Sequence, residues 1–186
     1  MPNTLAFVAL DSFQIDDRPP VPTVEAFWWI PVRSAQSFDE RARGMSYVEV
    51  AYWSPDTSFV RQLQPAWPRL RYAPVTIERT KDGEWRLALL LPDGSLHGRC
   101  RPSGVREPAS FPLPAYTTVW SAGPEPVTFT VYTSFGHHTQ DCVSEWTTEG
   151  SGLLPVAFMH SLRDPPPWMK TILLDGWRAR AGLYRR

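Results

Sequence analysis

The sequence predicts an all-β, mainly antiparallel protein: a closed, barrel-like double meander around an internal ligand cavity. Three observations predict it. Twenty prolines and eleven glycines punctuate the 186-residue chain throughout. Proline removes a helical donor and clashes with the preceding turn, so long helices are excluded almost everywhere. Between these breaks lie roughly ten short apolar or alternating runs of strand type. Asp-Gly pairs at 82–83 and 93–94 separate such runs, and this dipeptide is a strong hairpin signal. Many short strands with tight turns resolve into an antiparallel barrel or sandwich, and a barrel of this size can hold a ligand between inward-facing alternate residues.

Residues 5–13 alternate loosely and form the first expected strand, followed by an Asp- and Pro-rich turn at 16–22. The run 24–32 contains Phe27, Trp28, Trp29 and Ile30, and it reads as a strand buried on both faces. A polar loop or short helical turn is expected at 34–44. Strict alternation over 46–53 puts Tyr47, Glu49, Ala51 and Trp53 on one face and Val48, Val50 and Tyr52 on the other. Strands at 72–80, 85–91 and 96–101 form a meander through the turns Lys81-Asp82-Gly83-Glu84 and Pro92-Asp93-Gly94-Ser95. A loop at 102–114 precedes strands at 116–120, 127–134, 139–147 and 153–158. The prolines of 163–167 make a rigid extended connector. A strand or short helix at 168–174 and a closing segment at 176–184 complete one domain spanning 1–186.

Charge is balanced, with 19 basic and 19 acidic residues. No electrostatic footprint for nucleic acid or an anionic membrane results. No run is long enough to cross a bilayer and the N-terminus has no signal-peptide pattern, so the cytoplasm is the expected location. Cys100 and Cys142 make no disulfide framework or metal motif, and they read as small buried hydrophobes. Walker, dinucleotide-binding and Gly-x-Ser-x-Gly patterns are missing, and no cofactor is expected.

Glu49 is the first candidate for chemistry. A carboxyl buried among aromatics has a raised pKa and suits general acid–base work; the alternative is an edge-strand glutamate facing solvent. Arg69 and Arg71 share a strand face and could clamp a carboxylate or a developing enolate; the alternative is an exposed surface pair. His137 and His138 point to opposite faces, so at most one lines a cavity, and no ligand spacing supports a metal. The nine tryptophans are scattered, which suits core or cavity lining.

The stretch Arg61-Gln62-Leu63 through Trp67-Pro68-Arg69-Leu70, downstream of Tyr47-Val48-Glu49, resembles the active-site strand of the acetoacetate decarboxylase family. That family carries an aromatic-Pro pair followed by two lysines, the first forming a Schiff base with the substrate. Here Arg69 and Leu70 stand in their places, and an arginine cannot form the imine. The order of landmarks from about residue 21 onward carries the resemblance, with the Asp82-Gly83 hairpin and the terminal segment from Glu145 to Leu174 among them. It implies a closed barrel-like fold, homo-oligomers and a site-forming role for Glu49.

The expected function is a cofactor-free enzyme of secondary metabolism. Its substrate would be a hydrophobic, carbonyl-bearing small molecule such as a polyketide, and its reaction a cyclisation, isomerisation or lyase step. Glu49 and Arg69 would be catalytic; Tyr47, Trp67, Arg71, Trp29, Trp53 and His137 would line the substrate site. The alternatives are a non-catalytic small-molecule-binding protein on the same scaffold and a decarboxylase using a relocated lysine, Lys81 or Lys170. A filled barrel with a purely structural role is a third.

Overall fold

Alternating runs become strands β1 (Thr4–Ile15), β2 (Val21–Val32), β3 (Ser46–Ser54), β4 (Leu70–Tyr72), β5 (Val75–Arg79), β6 (Trp85–Leu91), β7 (Gly94–Pro102) and β8 (Glu107–Pro108). They continue with β9 (Ala115–Ser121), β10 (Val127–Ser134), β11 (His138–Gly150), β12 (Thr171–Leu174) and β13 (Arg178–Arg185). Helices α1 (Thr57–Leu63) and α2 (Leu153–Arg163) interrupt them. The structure, a computed structural model, describes residues 4–15, 19, 21–32, 46–65, 67, 69–105, 107–108, 115–121, 127–134, 138–163, 171–174 and 178–185. The expected loop at 34–44, the prolines at 165–167, His137 and Lys170 lie outside the described residues.

The first sheet is seven-stranded, in the order β2-β1-β13-β10-β9-β3-β4, and β2 additionally pairs with β3. Following the pairings from β2 through β1, β13, β10, β9 and β3 therefore leads back to β2. Four of its seven pairings are antiparallel, but β1 with β13, β3 with β9 and β3 with β4 run parallel. The second sheet runs β12-β11-β7-β6-β5, with β8 on β11, and its consecutive neighbours are antiparallel. The predicted meander is the β7-β6-β5 end of this sheet. Gly83 takes φ 81° in the first turn, a left-handed conformation that glycine adopts without a Cβ penalty.

The core between the sheets contains Ala26 and Trp53 from the first and Val75, Leu89 and Leu96 from the second, with Ala73 and Leu154. Partly buried Phe7, Trp28 and Phe158 pack against it. On the far side of the second sheet, Arg86 and Arg99 stand directly opposite each other on β6 and β7. Buried Glu84 offsets that repulsion by accepting from Arg99 at 3.1 and 3.2 Å and from Arg101 at 3.3 Å. These arginines, Arg99 first, hold the Glu84 carboxyl below its ordinary pKa.

Four expectations are corrected. Residues 153–158 form the start of α2, not a strand. Periodicity cannot separate a short apolar run in a helix from one in a strand, and Pro155 sits in the first helical turn, where its missing N–H is no loss. Residues 61–69 are not a strand either: α1 ends at Leu63 and a turn leads to β4. The strand expected over 72–80 is split between β4 and β5 at Ala73-Pro74. The run 24–32 is well covered as far as Trp28, but Ile30 is 36 % exposed, so burial on both faces does not extend along it.

Of the cysteines, Cys100 is fully buried and Cys142 partly so, both as free thiols. Burial pushes the Cys100 thiol up to about 11, which keeps it protonated and inert.

Candidate buried carboxylate site

The site is created by a bulge. On β2 and β3, Trp28 pairs with Ala51, but the next residue, Trp29, pairs with Glu49. Val50 is the extra residue. Successive strand residues alternate faces and opposed residues share one, so Glu49 and Ala51 lie on opposite faces. This corrects the strict alternation expected over 46–53. Glu25, Phe27, Glu49 and Tyr52 share one face. Ala26, Trp28, Ala51 and Trp53 share the other, which is the face packed in the inter-sheet core.

The first face gathers two acids and three aromatic rings. Glu25 is 3 % exposed, Glu49 1 %, Tyr52 2 % and Trp67 1 %. Phe27 and Tyr52, directly opposed, stack with centroids 6.0 Å apart and planes 7° from parallel. Tyr52 in turn contacts Trp67 at 4.6 Å. Trp67 Nε1 donates to Glu49 Oε1 at 2.7 Å, a short buried hydrogen bond.

Local chemistry places Trp67. Asp56 caps α1 by accepting from the Ser58 and Phe59 backbone N–H groups at 2.8 and 3.1 Å. The helix buries Phe59, Val60 and Leu63. Trp67 N–H then donates to Leu63 O at 2.7 Å, and Leu70 N–H to Trp67 O at 3.0 Å. Indole and backbone are thus fixed between α1 and β4.

Burial pushes the Glu25 carboxyl up to about 7, and the nearby Tyr52 and Thr23 hydroxyls only partly offset it. Burial, together with the charges of Glu25 and Glu49, raises Tyr52 well above the ordinary phenol range. Tyr52 therefore stays protonated near neutrality while Glu25 exchanges a proton there.

Of the residues expected from sequence, the structure brings Glu49 and Trp67 together. Trp53 belongs instead to the opposite face and the inter-sheet core. Arg69 and Arg71 are exposed, and Arg71 Nη1 donates to Leu70 O at 2.9 Å. Between them Leu70 is fully buried, so the inward residue of this stretch is a leucine. Tyr47 and Trp29 hold backbone positions in β3 and β2, but their side chains lie outside the description, as does the whole of His137. Sequence reasoning missed Glu25 and Tyr52. Glu25 had a readable signal, a lone acid inside the apolar run Val24-Glu25-Ala26-Phe27-Trp28. Tyr52 had none, because a bulge leaves no mark in the alternation. Among the described residues, no cluster of three or more His, Cys, Asp or Glu could hold a metal ion.

Comparison with protein-family models, curated proteins and solved structures finds no match.

Proposed function

We propose that this protein is a cofactor-free enzyme of small-molecule metabolism that moves protons on a hydrophobic, carbonyl-bearing substrate. The observation that carries this reading is the pair of buried carboxylates, Glu25 and Glu49, on one aromatic-walled face with Tyr52. Glu49, anchored by Trp67, holds the site's geometry and charge. Glu25, titrating near neutrality, is the acid–base group. Proton transfer of this kind serves enolisation, isomerisation, cyclisation and lyase steps on polyketide-type molecules, where a shaped cavity also selects the folded substrate conformer.

The circuit of pairings from β2 back to β2 supports a closed, acetoacetate decarboxylase-like barrel with this face inside. The sequence landmarks support the same relationship, and with it a homo-oligomer working in the cytoplasm. The imine route is disfavoured by Arg69 and Leu70 at the lysine positions and by the exposure of Lys81 in its turn. A second reading, binding without turnover, is favoured by the exposure of Arg69, the guanidinium expected from sequence to hold a reacting oxyanion.

Purified protein incubated with β-keto acids, polyketones and polyenes, read by mass spectrometry and chromatography with borohydride in a parallel tube, tests the reading. Turnover without a borohydride-trapped adduct is expected, lost in Glu25→Gln and weakened in Glu49→Gln. Binding with no turnover of any substrate supports the second reading. A trapped adduct on Lys81 or Lys170 overturns the imine-free chemistry.

A further inference from the structure

Two buried polar atoms on the acid-bearing face lack a well-formed hydrogen bond. Thr23 and Glu25 are 8 % and 3 % exposed, and two residues apart on β2 they project from the same side. Thr23 Oγ1 and Glu25 Oε1 both lack a hydrogen-bond partner. The Thr23 hydroxyl is near enough to bias the Glu25 carboxyl without making a well-formed bond to Oε1. Buried polar groups are almost always satisfied, and an unsatisfied neighbouring pair marks a place for something else to bond.

We infer that Thr23 and Glu25 form a subsite for a hydroxyl group of the ligand, an alcohol or an enol. The inference rests on the reading of this face as a small-molecule site and names the ligand chemistry it selects. A carboxylate only accepts, whereas a threonine hydroxyl both donates and accepts. One ligand O–H satisfies the two at once: its proton goes to Glu25 Oε1 and its lone pair accepts from Thr23. A ketone oxygen serves Thr23 alone, and a hydrocarbon serves neither. A ligand carboxylate, which only accepts, brings no proton for Glu25 Oε1. An ammonium would have to shed its whole hydration shell against Phe27, Tyr52 and Trp67. Those rings offer an apolar, aromatic wall next to the subsite, so the rest of the ligand is aromatic or polyunsaturated.

The test uses three probes of one shape: naphthalene-2-methanol, 2-methylnaphthalene and 2-(aminomethyl)naphthalene. Binding to the full-length protein is read by quenching of tryptophan fluorescence. The alcohol is expected to bind about ten-fold or more tightly than the methyl compound, since a polar pair built for a hydroxyl rejects the analogue that lacks it. Thr23→Val and Glu25→Gln should each remove most of that preference while leaving methylnaphthalene affinity unchanged. Thr23→Ser, which keeps the hydroxyl, should retain it. Should Glu25→Gln fail to fold, the threonine variants decide the matter. Equal affinities for alcohol and methyl compound, as when water alone fills the pair, overturn the inference. So do tightest binding of the amine, absence of binding by every probe, and a preference that survives Thr23→Val. An alcohol preference in a protein that turns over no substrate keeps the subsite and removes the enzyme reading. Turnover without that preference does the reverse.

Discussion

At the scale of single residues, Glu25 couples the site to stability. Its folded pKa is about 7, against 4.5 for the free side chain, with burial as the principal cause. The folded state therefore binds more protons than the unfolded state between these values, and stability falls as pH rises through that window. The contribution is complete below about pH 4.5 and is lost by pH values above 7, on the order of 3 kcal/mol in all. Urea midpoints measured at pH 5.5 and pH 8 should show the protein weaker at pH 8. Glu25→Gln, which cannot ionise, should flatten that difference; an unchanged pH dependence would place the effect elsewhere. The residue itself was visible in the sequence as an acid inside an apolar run. Its partners were not, because strand alternation predicts facing only where the register is unbroken, and the extra residue at Val50 reverses it. Glu49 and Trp67 were legible as types, an acid among aromatics and an indole before a proline. Their 2.7 Å hydrogen bond joins positions 18 apart and depends on a helix that the alternation did not announce.

That helix shows what an element contributes. α1 spans Thr57–Leu63, too short to persist alone, since isolated helices below about a dozen residues are marginal in water. Its cap and its three buried residues hold it, and it delivers Trp67 to Glu49. Asp56→Ala removes the cap and should cost about 1 kcal/mol, read as a lower urea midpoint with an unchanged slope; loss of Trp67 burial should accompany it as a red-shifted fluorescence. The Asp-Thr-Ser sequence at 56–58 was a readable helix start, obscured by the expectation of a strand. Hairpin positions, in contrast, were legible almost to the residue: β6 runs Trp85–Leu91 and β10 Val127–Ser134, as the alternation and turn residues required. What the pattern could not express was the contact across strands. Gly98 on β7 lies opposite Trp146 on β11, and a Cβ at Gly98 would sit 2.5–2.8 Å from three carbons of the indole. That ring also packs edge-on against Phe158 of α2 at 5.2 Å and against Phe7 of β1 at 5.8 Å. These two rings limit how far the partly exposed indole can yield. Gly98→Ala should destabilise by about 1–3 kcal/mol through overpacking, whereas the same change at Gly104, whose Cβ would meet nothing within 4 Å, tests only the strain of its positive φ of 72°.

For the whole molecule, the decisive join is between segments far apart in sequence. β13 pairs in parallel with β1 (Ser12 with Arg178 through Ile15 with Ala181) and antiparallel with β10 (Val127 with Arg185 through Ser134 with Arg178). It is the strand that links the β2-β1 pair to the β10-β9 pair, with β3 bonded to both β2 and β9 on the other side. Such pairings close long loops before any contact rewards them, so the chain should fold slowly, with local hairpins of the second sheet forming first. A chain ending at residue 177 would leave β1 and β10 as unpaired edges, each a row of N–H and C=O groups open to association. Net stabilities of domains are only about 5–15 kcal/mol, and losing a central strand bonded to β10 along its whole length and to β1 over half of it is more than such a margin can absorb. The truncated protein should lose the single cooperative urea transition, bind a hydrophobic dye and sediment as aggregate. A cooperative transition with the same slope as the full chain would mean that β13 adds nothing to the folded unit, and the buried face carrying Glu25 and Glu49 would then have to be organised by β1, β2, β3 and α1 alone.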